Sequence, residues 1–179
     1  MPERLIRAGR VQADDFTTFD PPEGADLATV PLPAGPLIVP FALWAVRRDA
    51  LLARDAPVGV RLEPTDDPAG LAQDLSRLAV VAIRFPKFTD GRGYSTAWLL
   101  RRRLGFAGEV RAVGDVKRDQ LFYLARSGFD AFLLADGQDA RAALASLSDF
   151  SAAYQAAADA RPPRFRTAAL LTGPAIIHG

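Results

Sequence analysis

The chain has 179 residues, 22 Lys+Arg against 21 Asp+Glu, a net charge of +1 and no cysteine. That length suits one domain with a real core, and the near-neutral charge leaves no global basic field to hold nucleic acid or an anionic membrane. Without thiols, disulfides, cysteine nucleophiles, zinc ribbons and cysteine-ligated iron–sulfur clusters are excluded.

In chain order, residues 1–35 read as an irregular lead-in with room for one short strand, because Asp20-Pro-Pro-Glu-Gly24 and Pro31-Leu-Pro-Ala-Gly35 break any period. Leu37–Val39 is a short strand candidate, followed by a helix over about Phe41 to Arg54. Val58–Leu62 is the next strand, ended by Glu63-Pro64. Asp66 or Asp67 caps a helix with Pro68 in its first turn, running to about Arg77. Ala79–Phe85 is a buried strand and Tyr94–Leu104 a helix; Glu109–Gly114 is a strand. Asp115 then suits the N-cap of a helix to about Ser127, with Gly128 as its stop. Asp130–Ala135 is the last strand, and a helix from about Asp139 to Ala158 follows, ended by Arg161-Pro-Pro163. The organisation is thus a lead-in (1–35), one α/β domain (36–160) and a tail (161–179).

Strands alternating with helices imply an α/β fold, a parallel sheet of about five βα units with right-handed crossovers. A flavodoxin-like open sheet and a partial (β/α) barrel both fit; five units fall short of a closed eight-fold barrel. No run approaches the roughly 20 apolar residues that span a bilayer, and the N-terminus lacks the apolar core of a signal peptide. A soluble cytoplasmic protein is the expectation.

Either architecture gathers the C-terminal strand ends on one edge, where such folds place ligands. That edge carries Glu63, then Arg84, Lys87, Thr89, Asp90, Gly91, Arg92, Gly93, Tyr94 and Ser95, then Asp115, Lys117 and Arg118. Gly91 and Gly93 precede a helix whose free N–H groups, beside Lys87 and Arg92, suit a phosphate, sulfate or carboxylate. Glu63, Asp90 and Asp115 are the carboxylates available for acid–base work. Gly91-Arg-Gly-Tyr-Ser-Thr96 only partly resembles the dinucleotide fingerprint, because Thr96 takes the third glycine position. The one histidine is His178, beside the C-terminus, so histidine triads and metal sites are not expected; Asp115 and Asp119, four apart, remain as a pair for a hard cation. Arg101-Arg-Arg103 reads as a solvated helix surface or partner contact, and Phe122 and Tyr123 as core.

Arg84-Phe-Pro-Lys-Phe-Thr-Asp-Gly-Arg-Gly-Tyr-Ser95, the run from Leu99 to Phe122 and Gly-Phe-Asp-Ala-Phe132 closely resemble a bacterial family termed domain of unknown function 934. Its members are labelled oxidoreductases of sulfite reduction, after genes that neighbour those of assimilatory sulfite reductase. The resemblance implies a place in sulfate assimilation and transfers no catalytic residue. A sulfite reductase subunit holds siroheme and an iron–sulfur cluster, for which this chain has no cysteine. No flavin or nicotinamide fingerprint is convincing, so no cofactor is assigned. Two functions follow. One is an accessory protein of sulfite reduction that binds a small oxyanion or acts with sulfite reductase. The other is a cysteine-free enzyme whose acid–base groups are Glu63, Asp90 and Asp115, with cations clamping a small anionic substrate.

Overall fold

A computed structural model describes residues 4–148. The expected helix end at Ala158, the Arg161-Pro-Pro163 stop and His178 lie outside the described residues. Eight strands form one sheet: β1 (Leu5–Arg7), β2 (Arg10–Gln12), β3 (Thr17–Thr18), β4 (Leu37–Pro40), β5 (Val58–Leu62), β6 (Val80–Phe85), β7 (Glu109–Gly114) and β8 (Ala131–Leu133). Four helices are described: α1 (Phe41–Leu52), α2 (Arg92–Arg102), α3 (Leu121–Ser127) and α4 (Ala140–Ser148).

The sheet order is β2-β1-β8-β7-β6-β5-β4-β3. β3 to β8 are parallel and consecutive, and β1 adds antiparallel to β8. Every parallel step goes the same way, so right-handed crossovers put the helices on one face. The burial agrees. Leu43 and Trp44 of α1, Ala97 and Leu100 of α2, Leu121 and Leu124 of α3 and Ala143 of α4 share one core with Val60, Val81, Ile83, Phe85, Val110 and Phe132 of the sheet. This one-sided winding makes a curled half-barrel; a flavodoxin-like sheet would reverse direction and carry helices on both faces.

The connection from β2 to β3 requires the curl. These strands are at opposite edges of the sheet, yet only Ala13 to Phe16 separate them. Seven strand spacings of about 4.8 Å make roughly 34 Å along the sheet. Five residue steps of about 3.4 Å reach only ~17 Å. The two edges must therefore approach one another across the concave face, and Phe16 packs there against Ile38, Val80 and Ala82.

The structure corrects four expectations. The lead-in holds three strands, not one, all in the main sheet. The second crossover is two 3-10 turns, Pro68–Leu71 and Leu75–Arg77, instead of a helix. Asp67 caps the first turn as its position predicts, accepting the Ala69 amide at 2.9 Å. But Gly70 has its bare Cα against the Phe41 ring, and glycine weakens a helix interior. Five clean βα units are therefore not formed. The third correction is that Asp115 does not cap a helix: the 3-10 turn Arg118–Gln120 leads into α3, and the Gln120 side chain accepts the Lys117 amide. The fourth is Arg101, which is no solvated charge. It donates to the carbonyls of Gly128 (2.9 Å), Phe106 (2.6 Å) and Gly108 (2.7 Å) and to Asp130 Oδ2 (2.6 Å), stapling the end of α2 to two loops. Gly128 does end α3, in the left-handed conformation at φ 109°.

Candidate functional site

The C-terminal strand ends do gather on one rim, and most of the polar groups there are already engaged with one another. Glu63, just past β5, pairs with Arg84 of β6 at 3.2 Å and lies 3.4 Å from Arg61 Nε. Arg61 in turn grips Asp20 of the lead-in with both terminal nitrogens, at 3.1 and 2.5 Å. This hydrogen bond holds the Asp20 carboxyl below the usual carboxylate range.

The loop after β6 is tied down from β7. The Asp115 amide donates to the Phe85 carbonyl at 2.8 Å, and Asp115 Oδ2 accepts the Phe88 amide at 3.0 Å. Lys117 Nζ stands 4.0 Å from the centre of the Phe88 ring and 3.8 Å from Asp115 Oδ1. Gln120, buried, donates to the Phe88 carbonyl at 2.9 Å. Asp115, Lys117 and Gln120 thus fix Phe88 and the loop around it.

Asp90 sits just before α2 and takes one of the amides at the helix start considered for an anion. Its carboxylate accepts the Arg92 amide (3.1 Å), Arg92 Nε (3.0 Å) and an Arg92 terminal nitrogen (2.7 Å). The Arg92 side chain holds Asp90 below the ordinary carboxylate range. Gly93 is needed for packing: a Cβ there would stand 2.5 Å from Phe85 Cζ. Gly91 has φ −79° and open space around it. Tyr94 meets the Phe85 ring edge-on at 5.6 Å, and burial pushes its phenol above the usual value. Lys87 and Thr89 are exposed, as is Arg118, whose amide reaches Gln138 Oε1 at 3.4 Å. Ser95 is exposed beside Trp98.

Asp115 and Asp119 do not share a helix face, because Asp115 precedes the helical turn. Among the described residues no three carboxylate or histidine groups gather where a metal ion would bind. No described helix is long and apolar enough to cross a membrane. Tyr123, expected in the core, is 64% exposed, and Trp98 is 46% exposed. A groove of about 410 Å³ runs between α2 and α3, lined by Tyr94, Ser95, Trp98, Leu99 and Ser127. Two further cavities, of about 610 and 530 Å³, are lined by other residues; none of the three joins Glu63, Asp90 and Asp115.

Sequence reasoning missed Gln120, the Phe88–Lys117 stack and the aspartates of the lead-in. Lys117-x-x-Gln120, a polar side chain three residues on from a turn residue, was the available signal for the first.

A one-sided, curled α/β half-barrel with a polar rim at its strand ends is the class these observations define. A sequence model described as a bacterial protein of unknown function, family 934, matches residues 59–165, and the chain belongs to that family. No curated protein matches the chain.

Proposed function

We propose that this protein is an accessory protein of assimilatory sulfite reduction that works by binding, either to a small oxyanion or to sulfite reductase, rather than by acid–base catalysis. The pairing of the rim carboxylates carries the reading: Glu63 is held between Arg61 and Arg84, Asp90 by Arg92, and Asp115 by the Phe88 amide and Lys117. Asp90, which the Arg92 side chain holds below the usual carboxylate range, is a weak general acid near neutral pH. Exposed Lys87 on the ordered Phe88 loop, and half-buried Lys117 stacked on Phe88 from the segment after β7, are the cations that would meet an anion or an acidic partner. The alternative, an enzyme using these carboxylates, needs a cavity joining them, and the three cavities described lie elsewhere.

The test is growth of a deletion strain on sulfate, sulfite, sulfide or cysteine as sole sulfur source, with complementation by Lys87→Ala and Asp90→Asn. Rescue by sulfide and not by sulfite supports the assignment, as does failure of Lys87→Ala to complement. Normal growth of the deletion strain on every source refutes it.

A further inference from the structure

The two faces of the sheet differ in chemistry. The helix face is apolar, whereas the concave face carries arginines in one register row. Arg7 lies opposite Ala131, Ala131 opposite Arg111, Arg111 opposite Ala82 and Ala82 opposite Arg61. Cation and methyl alternate, with arginines two strands, or roughly 10 Å, apart. Arg84 stands two positions beyond Ala82 on β6, on the same face.

The segment Asp14–Asp20 crosses this row as a strap. Arg111 donates from one terminal nitrogen to both oxygens of Asp14, at 2.9 and 2.8 Å. Arg7 meets Asp15 at 3.1 Å, and Arg61 holds Asp20. The Phe16 ring lies 5.6 Å from the Arg111 guanidinium carbon. The strap nevertheless leaves the row incompletely satisfied. Arg111 is 1% exposed, and its second terminal nitrogen has no hydrogen-bond partner; buried Arg61 Nε has none of good geometry either. Buried donors without acceptors are rare and call for an explanation.

Charge gives one. Arg7, Arg61, Arg84 and Arg111 face two carboxylates of the sheet and its rim, Glu109 and Glu63, which leaves an excess of two positive charges. The three aspartates of the strap, two of them largely exposed, over-neutralise that excess by one charge while it is in place, so the excess of two belongs to the row with the strap displaced. The strap backbone pairs in parallel with the β4 edge, with Thr17 N–H donating to the Pro36 carbonyl and Phe19 N–H to the Ile38 carbonyl at the two ends of the short ladder. The Arg7–Asp15 and Arg61–Asp20 pairs, whose carboxylates are largely exposed, are of the weak, salt-screened kind, whereas Arg111–Asp14 is largely buried.

We propose that the concave arginine row is a binding site for a tetrahedral oxyanion of the sulfate or phosphate type, and that the strap is its exchangeable internal occupant. A dianion matches the excess charge and brings acceptor oxygens for the unpartnered Arg111 and Arg61 donors. The site shares Arg84 and Glu63 with the rim but no residue of the Lys87–Ser95 loop, and it does not rest on the role proposed for that loop.

Hydrogen exchange of the full chain tests this. Millimolar sodium sulfate should speed exchange of the Thr17 and Phe19 amides at least tenfold over sodium chloride of equal ionic strength, leaving the Val81 and Ala112 amides unchanged. Generic stabilisation by sulfate acts in the opposite direction, slowing exchange. Asp14→Asn/Asp20→Asn should exchange fast at Thr17 and Phe19 without sulfate, and Arg61→Gln should lose both the sulfate response and the calorimetric heat of sulfate binding. Lys87→Ala should keep both. The aspartate variant changes half-buried or exposed side chains, so it stands should Arg61→Gln not fold. Equal exchange in sulfate and chloride, a response that survives in Arg61→Gln, or one that vanishes in Lys87→Ala overturns the proposal.

Discussion

Gly91 and Gly93 bracket one residue at the head of α2, yet alanine should act oppositely at the two. At Gly93 a Cβ would stand 2.5 Å from Phe85 Cζ, 2.9 Å from Cε1 and 3.1 Å from Ile83 Cγ2. Phe85 is buried and packed between Tyr94 and Phe129, so it cannot swing away cheaply. Overpacking of this kind costs about 1–3 kcal/mol. Alanine's better helix propensity returns roughly 0.5 kcal/mol at this first-turn position, which leaves Gly93→Ala destabilised by about 0.5–2.5 kcal/mol. At Gly91 the backbone is right-handed and nothing lies within 4 Å of the would-be Cβ. The lower entropy of the unfolded chain offsets the small loss at an N-cap, so Gly91→Ala should stay within about 0.5 kcal/mol of wild type. Urea unfolding followed by circular dichroism reads both. A Gly93→Ala protein as stable as the parent, or a Gly91→Ala protein the weaker of the two, would show that this glycine pair serves something other than helix-to-sheet packing.

Three further outcomes follow from the same geometry. Arg101→Met should cost about 2–4 kcal/mol in chemical denaturation, since it strips three carbonyls and Asp130 of one shared cationic donor; a loss under about 1 kcal/mol would contradict the stapling role. Asp20 has a folded pKa below its unfolded value, so its contribution is present above about pH 3.9 and fades as pH falls through the folded pKa; Asp20→Asn should narrow its stability gap to wild type on acidification below pH 4, and a gap constant from pH 6 to pH 2 refutes the pairing. Trp44 is 2% exposed and Trp98 46%, so Trp98→Phe should shift tryptophan emission to shorter wavelength and remove most acrylamide quenching, and unchanged quenching would place the exposed indole elsewhere.

From β4 to β8 the strands were legible from their apolar residues and α1 to α4 from their helical spacing, with Gly128 marking the end of α3; the crossover after β5, two 3-10 turns, was not. β1 to β3 were not. They are two or three residues long and rich in Arg, Gln and Thr, and their place comes from partners remote in sequence, such as Phe132 opposite Ile6. The rim was legible in composition, since the strand ends predict which charges gather there. Which of them neutralise one another was not, because the Arg61–Asp20 and Arg111–Asp14 pairs depend on a curl that only the strand order reveals. Tyr123 was misplaced because one apolar stretch, Leu121 to Ala125, covers more than half of the α3 circumference.

The lead-in also sets a timetable for synthesis. Arg4 donates to the carbonyl of Leu134, 130 positions later in the chain. At 5–20 residues per second, β1 waits roughly 7–25 s on the ribosome before its partner strand exists. The lead-in strands are two or three residues long, so each offers only a short edge to wrong partners during that wait. The β1–β8 pairing can therefore form only after every other strand of the sheet has been made.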